Sequence, residues 1–253
     1  ELTRVASHEL WWGAMAMDIG AFTPFFHAFR ERETINDIME KTCGARLTMN
    51  YMVPGGVMQE LHPDFQKEVK GFIQLFKSKV HEYDEMVTGN IIFQNRMKGV
   101  GILSKEDAIS FGCTGPTGRG SGVQCDIRKL YPYDAYHKVQ FDEIIETAGD
   151  SLARYMVRIK ELHQSIHIIE QLIDNIPEGD FQAKTKAVLK LPKGEFYQRV
   201  ETARGEFGVY RIKFRSPGFS NLSALNHMAR GSKLGDLVAM MGTLDLVIPD
   251  IDR

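Results

Sequence analysis

Between Leu2 and Ile19 apolar side chains recur so densely that almost every face of a helix would be hydrophobic. At about 100° per residue, Arg4, His8, Trp11, Met15, Asp18 and Phe22 fall on one stripe, while Leu2, Val5, Trp12, Ala16 and Ile19 cover the rest. The pattern predicts a helix over 1–20 with almost no solvent face, of the kind that is normally buried. Yet an arginine, a histidine and an aspartate share that line. Ionisable groups are costly to bury unless they are paired in structural ion networks or put to use. His8 and Asp18 would stand about 15 Å apart along the axis, so they cannot pair with each other.

Further on, Thr23-Pro24 predicts a cap and first turn, then a helix over 25–42 using Phe25, Phe26, Phe29, Ile35, Ile38 and Met39 as apolar contacts. Gly44 is its predicted stop. The run Arg30-Glu31-Arg32-Glu33 reads either as a solvated face or as part of an interface. Residues 44–57 form an irregular or strand-like link, turning at Pro54-Gly55-Gly56. Pro63 opens a helix to about 87, with Phe65, Val69, Phe72, Ile73, Phe76, Val80 and Tyr83 on one face. Residues 90–103 show no clear period. Ser104 to Asp107 has capping-box spacing, with aspartate in place of the usual glutamate. Asp150 caps a long helix to about 176, stopped by Pro177. Beyond 178 two alternating segments, EFYQRVET and EFGVYRIKFR, predict paired strands, and two helices follow.

The chain has 253 residues, 43% hydrophobic and 25% charged, with a net charge of −2. That near-neutral balance argues against a nucleic-acid partner. Cys43, Cys113 and Cys125 include no CxxC pair, which speaks against a disulfide scaffold or a cysteine-held metal and for a reducing compartment. No apolar run reaches about 18 residues; the best, LVAMMGTLDLVI, is broken by Asp245. Glu1, Arg4 and Glu9 are foreign to a signal peptide. A start in mid-helix without methionine carries the expectation that the native chain begins upstream. The glycine-rich stretch 111–129 contains neither GxxxxGK[ST] nor GxGxxG, so it is predicted to be a tight loop rather than a phosphate cradle. HQSIH, 163–167, lacks the glutamate of a zinc-protease motif, so no metal site is expected there.

HELWWGAMAMDIGAFTPFFHAFRERE, GAR followed by a PGGV turn, GPTGRGSGVQCDIRK, RGEFGVY, RSPGF and the terminal DLVIPDIDR together resemble, in order, the D subunit (49-kilodalton class) of proton-pumping NADH:quinone oxidoreductase, respiratory complex I. The resemblance implies an α+β, mainly α fold like the large subunit of nickel–iron hydrogenases, a central helical bundle with small antiparallel sheets. Residues 1–178 would be the bundle and 179–253 the strands and helices packed on it. It implies a subunit inactive alone that forms the quinone-head-group cavity beside a terminal iron–sulfur cluster. Thiolates of a partner subunit hold that cluster. The other implied partners are the remaining peripheral-arm subunits and a membrane-arm subunit at the quinone entrance, on the cytoplasmic side of a bacterial inner membrane. No flavin or metal of its own is expected.

By the same resemblance Asp18 matches the aspartate that hydrogen-bonds a quinone-protonating histidine, itself upstream of Glu1. Leu10 and Ala14 match positions lining the quinone channel, and Val247 and Asp252 match cavity residues. Arg4, His8, Arg46 and Thr48 match a region near the cluster. Many members carry GARMH, whereas Gly44-Ala45-Arg46-Leu47-Thr48 puts a non-titrating threonine where the histidine stands. The expectation is a cluster potential that barely varies with pH, suited to menaquinone rather than ubiquinone. Between GVY and RIKFRSPGF the family usually carries about ten further residues with a glycine turn, whereas Tyr210 here meets Arg211 directly, so either the hairpin is shortened or the given sequence leaves residues out. A related membrane-bound hydrogenase subunit would need the missing CxxC pairs. A scaffold that has lost its site would not be expected to keep Asp18, Val247 and Asp252.

Overall fold

The computed structural model describes residues 1–184, 198–203 and 217–247, together with the backbone of 207–209. Helix α1 (Leu2–Asp18) runs into a Gly20 turn and then α2 (Phe22–Cys43). The second helix starts before the predicted point: its N-cap is Ala21, not Thr23. Pro24 is tolerated because first-turn amides have no intrahelical partner to lose. Gly44 ends α2 in the left-handed conformation, φ +74°, as its position predicted. Phe22 and Phe26 are 64% and 69% exposed, so the aromatic cluster is only partly a core contact.

The strands β1 (Met52–Val53) and β2 (Gly56–Val57) pair across Pro54-Gly55, and residues 181–183 bond back to this hairpin. Helix α3 (Phe65–Tyr83) continues into a wider turn at Asp84–Thr88 and buries the predicted face from Val69 to Tyr83. The stretch without a clear period contains α4 (Ile91–Met97), capped by the Asn90 side chain on the amides of Ile92 and Phe93. Ser104 caps α5 (Lys105–Ser110) as its spacing predicted. The glycine-rich stretch is not all loop: it holds α6 (Gly115–Arg119), followed by α7 (Ile127–Leu130). Helix α8 (Ser151–Ile173) is capped by Asp150 and ends three residues short of the predicted stop.

After α8, β3 (Arg199–Glu201) pairs antiparallel with β4 (Phe207–Val209), with Val200 opposite Gly208. The helices α9 (Pro217–Ala229) and α10 (Leu234–Leu244) follow. The main core lies between α1, α2, α3 and α8, where Trp12 stacks on Tyr83 at 4.0 Å and donates to the Tyr155 hydroxyl at 3.1 Å. A second core joins Leu103, Cys113, Ala224, Met228, Met240 and Leu244. Helix α10 thereby reaches both α1 and α8. The fold is mainly helical with small antiparallel sheets, in keeping with the expected class. Among the described residues, no helix is long and apolar enough to cross a membrane.

Candidate functional site

Helix α1 is not buried all round. Thr3, Ser7, Leu10, Ala14 and Met17 are each partly or fully exposed and follow the three-and-four spacing of one helical stripe, with Asp18 at its edge. Leu10, Ala14 and Asp18 therefore share the open side of an otherwise buried helix. This corrects the expectation of a buried aspartate: Asp18 is exposed, because the helix ends there and no element among the described residues covers that stripe. Arg4, His8, Trp11 and Met15, predicted on the same line, turn inward instead.

Helix α10 closes one edge of the stripe. Trp11 donates its indole N–H to the Gly242 carbonyl at 2.8 Å. A Cβ at Gly242 would sit 3.3 Å from Met15 Cγ and 3.9 Å from the Asp18 Oδ2. Glycine thus lets α10 approach the carboxylate closely. Val247 is half-buried, three residues beyond the end of α10, and Asp252 lies outside the described residues. An apolar cavity of about 360 Å³ opens elsewhere, between Leu2, Met39, Phe65, Tyr136, Ile169 and Ile173; none of Leu10, Ala14, Asp18 or Val247 lines it.

Behind the stripe lies a buried network of charged groups. His8 Nε2 is 2.9 Å from Glu161 Oε2, both side chains almost fully buried. The other oxygen of Glu161 meets Arg119 at 2.6 Å. Burial opposes the Glu161 charge, but Arg119 and the His8 hydrogen bond outweigh it and hold the carboxyl well below its usual range. Burial also lowers the His8 value, more than Glu161 raises it. The pair is thus a neutral imidazole donating Nε2–H to a carboxylate.

Glu201, from β3, closes the network. One of its oxygens accepts from the Ile127 amide at 2.9 Å. The other faces Arg119 at 3.4 Å, Arg4 at 3.7 Å and Arg128 at 3.9 Å. At those separations burial wins, and the Glu201 value is pushed up to about 7. Its neighbour Asp126 pairs with Arg128 at 2.7 Å and stays low: burial opposes its charge, but Arg128 and a hydrogen bond from Glu201 outweigh it. Chemically this is a proton-holding carboxyl wired through arginine to an ionised glutamate and a neutral histidine.

The glycines of 115–122 serve this network. A Cβ at Gly118 or Gly120 would come within 2.9 Å of Cys113 O or Arg154 Cγ, so the loop lies hard against its neighbours and Arg119 enters the core. Arg119, Glu161, Glu201, Arg128 and Asp126 were not anticipated from the sequence. One signal was legible: Arg154, Arg158 and Glu161 form a charged stripe at helical spacing on an otherwise apolar helix. Arg158 stacks on the Trp11 ring at 4.5 Å and donates to the Thr243 carbonyl at 3.0 Å, so α8, α1 and α10 meet beside Asp18.

The remaining expected residues lie apart from the network. Arg46 pairs with Asp37 and Glu40, each at 2.7 Å, and with Glu33 on the outer side of α2. Thr48 is exposed with φ +51°, and Met49 beside it is 3.9 Å from the Thr3 hydroxyl. This segment therefore sits at the start of α1. His163 and His167 are exposed, and among the described residues no cluster of His, Cys, Asp and Glu could hold a metal ion.

A family model for the respiratory-chain NADH dehydrogenase 49 Kd subunit matches residues 18–190 and 181–253. The chain is 55% identical over its whole length to the C/D subunit of NADH-quinone oxidoreductase from Bacteroides thetaiotaomicron, of which it spans 50%. It is 45% identical to the D 2 subunit of NADH-quinone oxidoreductase from Solibacter usitatus and 42% identical to the D subunit from Bacillus cytotoxicus. Both matches cover the whole chain, and it spans 71% and 72% of those proteins.

Proposed function

The chain belongs to the 49 Kd subunit family of respiratory-chain NADH dehydrogenase, and from that membership we propose that the open stripe of α1 is one wall of a quinone-head-group cavity. The observation that carries the reading is the convergence of Leu10, Ala14 and Asp18 on the only stripe of α1 that neighbouring described elements leave uncovered. Two small or flexible apolar side chains ending at a carboxylate suit a flat, apolar ring with polar oxygens. The exposed Asp18 is free to accept a hydrogen bond from a proton donor outside residues 1–253, and so to hold that donor in place.

Reduction of a quinone needs two electrons and two protons. A cluster held by a partner iron–sulfur subunit would supply the electrons. The chain's own part is protonic. Asp18 orients the donor to the developing phenolate and stabilises its charged form. The network of His8, Glu161, Arg119 and Glu201, behind the stripe, lets Glu201 take up and release a proton near neutral pH. In this reading the protein works within NADH:quinone oxidoreductase, coupling quinone reduction to proton translocation. Other peripheral-arm subunits and a membrane-arm subunit flank it on the cytoplasmic face of the inner membrane. Thr48 in place of a histidine favours menaquinone as substrate, since no group at that position titrates with cluster reduction.

A photoreactive quinone analogue added to the assembled complex tests the cavity directly. The expected adducts fall on the peptide carrying Leu10 to Asp18 and are displaced by excess quinone. Adducts confined to other peptides would overturn the assignment.

A further inference from the structure

Glu9 points away from both the open stripe and the His8 network, into the contact between α1 and α2. It is 0% exposed, and among the described residues neither of its carboxyl oxygens has a hydrogen-bond partner. Across the interface stands Glu31, also 0% exposed. Glu31 is well supplied: Arg30 donates to one oxygen from Nε at 2.8 Å and again from Nη2, and the Tyr83 hydroxyl approaches the other at 3.5 Å. Two carboxyls thus share a buried interface, and only one has donors among the described residues that stabilise a negative charge. A buried carboxylate with no donor is among the least favourable arrangements in a protein. The group meets that cost by keeping its proton.

From these contacts we propose that Glu9 and Glu31 form a buried proton-binding site between α1 and α2, with the proton on Glu9 and the negative charge on Glu31. The charged and titratable groups facing Glu9 are Glu31 and Arg32 from α2 and Tyr83 from α3. Burial, and then Glu31, push the Glu9 value well up; Arg32 pulls it down by less. The site opens toward solvent through Arg30, which bridges Glu31 to Glu82 at 3.2 Å; Glu82 in turn meets His27 at 3.2 Å. Loss of the Glu9 proton leaves two like charges face to face where Gly13 on α1 lies against Ala28 on α2. The helices must then part or admit water. The proton site rests on burial and contacts within this chain and stands independently of what the stripe binds.

Infrared spectroscopy of the full-length protein in its complex tests the site, because a protonated carboxyl has a C=O stretching band that a carboxylate lacks. At about pH 9, where Glu201 is ionised, wild type is expected to retain a carboxylic-acid band that Glu9→Gln removes. Glu31→Gln is expected to keep the band but shift its loss to lower pH, since the like charge is gone. Glu9→Gln, a neutral near-isostere of the protonated acid, is expected to leave the thermal midpoint unchanged or raised. A wild-type spectrum without such a band, or a band in Glu31→Gln that titrates where the wild type's does, would overturn the site. So would a clear drop in midpoint for Glu9→Gln, which would show an ionised Glu9 paired with Arg32.

Discussion

His8 and Glu161 meet across α1 and α8 at 2.9 Å, each at most 3% exposed, one neutral and the other ionised. The bond joins residues 153 apart in the chain and brings the first helix of this segment into register with the long helix opposite. Glu161 also carries the Arg119 guanidinium into the core. Removing one partner of a buried pair strands the other, which costs more than the pair's net worth.

Glu161→Gln is therefore expected to lower unfolding stability by about 3–5 kcal/mol, the range for an uncompensated buried charge. Denaturant titration of the protein in its complex reads this. His8→Gln should cost less, because it removes a neutral donor and leaves the Arg119–Glu161 pair intact.

Stability should depend on pH in opposite senses on the two sides of the network. Glu201 is raised by burial from 4.5 to about 7, so between those values the folded chain holds a proton that the unfolded chain has released. Its contribution is fully present below the unfolded value and is lost as pH rises through about 7. Glu161 is depressed, so its contribution is present above its unfolded value of 4.5 and lost as pH falls below it. Glu201→Gln is expected to lessen the decline between those limits, leaving the part due to Glu9 and the acid limb unchanged; thermal midpoints across pH check both.

Much of this scaffold was legible in the chain. The face of α3, the Gly44 stop, the Pro54-Gly55 turn and the Ser104 and Asp150 caps follow from local rules that tertiary contacts did not override. The charged network was not legible, because its members come from α1, α6, α7, α8 and β3, and no spacing rule links Arg119 to Glu201. Asp18 was misjudged for a related reason. Periodicity shows which residues share a face, but not which face a neighbouring helix leaves bare.

Gly242 is expected to tolerate little. An added Cβ lands 3.3 Å from Met15 Cγ, so alanine asks for a shift of a few tenths of an ångström, whereas valine must push α10 off α1. Overpacking of this kind costs about 1–3 kcal/mol. Gly242→Val should therefore weaken quinone-analogue binding more than Gly242→Ala, as measured by competition in the assembled complex.

Thr48 provides a test of the cluster-side reading. With no titrating group at this exposed position, the partner cluster's midpoint potential is expected to change little with pH. Thr48→His should introduce a slope approaching about 59 mV per pH unit over the range in which the new imidazole titrates, the limit for one proton per electron. Equal slopes in the two proteins would remove Thr48 from the account.

The most direct measurement is quinone reduction by the assembled complex carrying Asp18→Asn. Asparagine keeps the shape and exposure of the side chain but removes the charge that would hold the proton donor. Quinone turnover is expected to be largely abolished, with assembly and cluster reduction by NADH intact. Wild-type turnover in that complex would contradict the placement of Asp18 at the quinone.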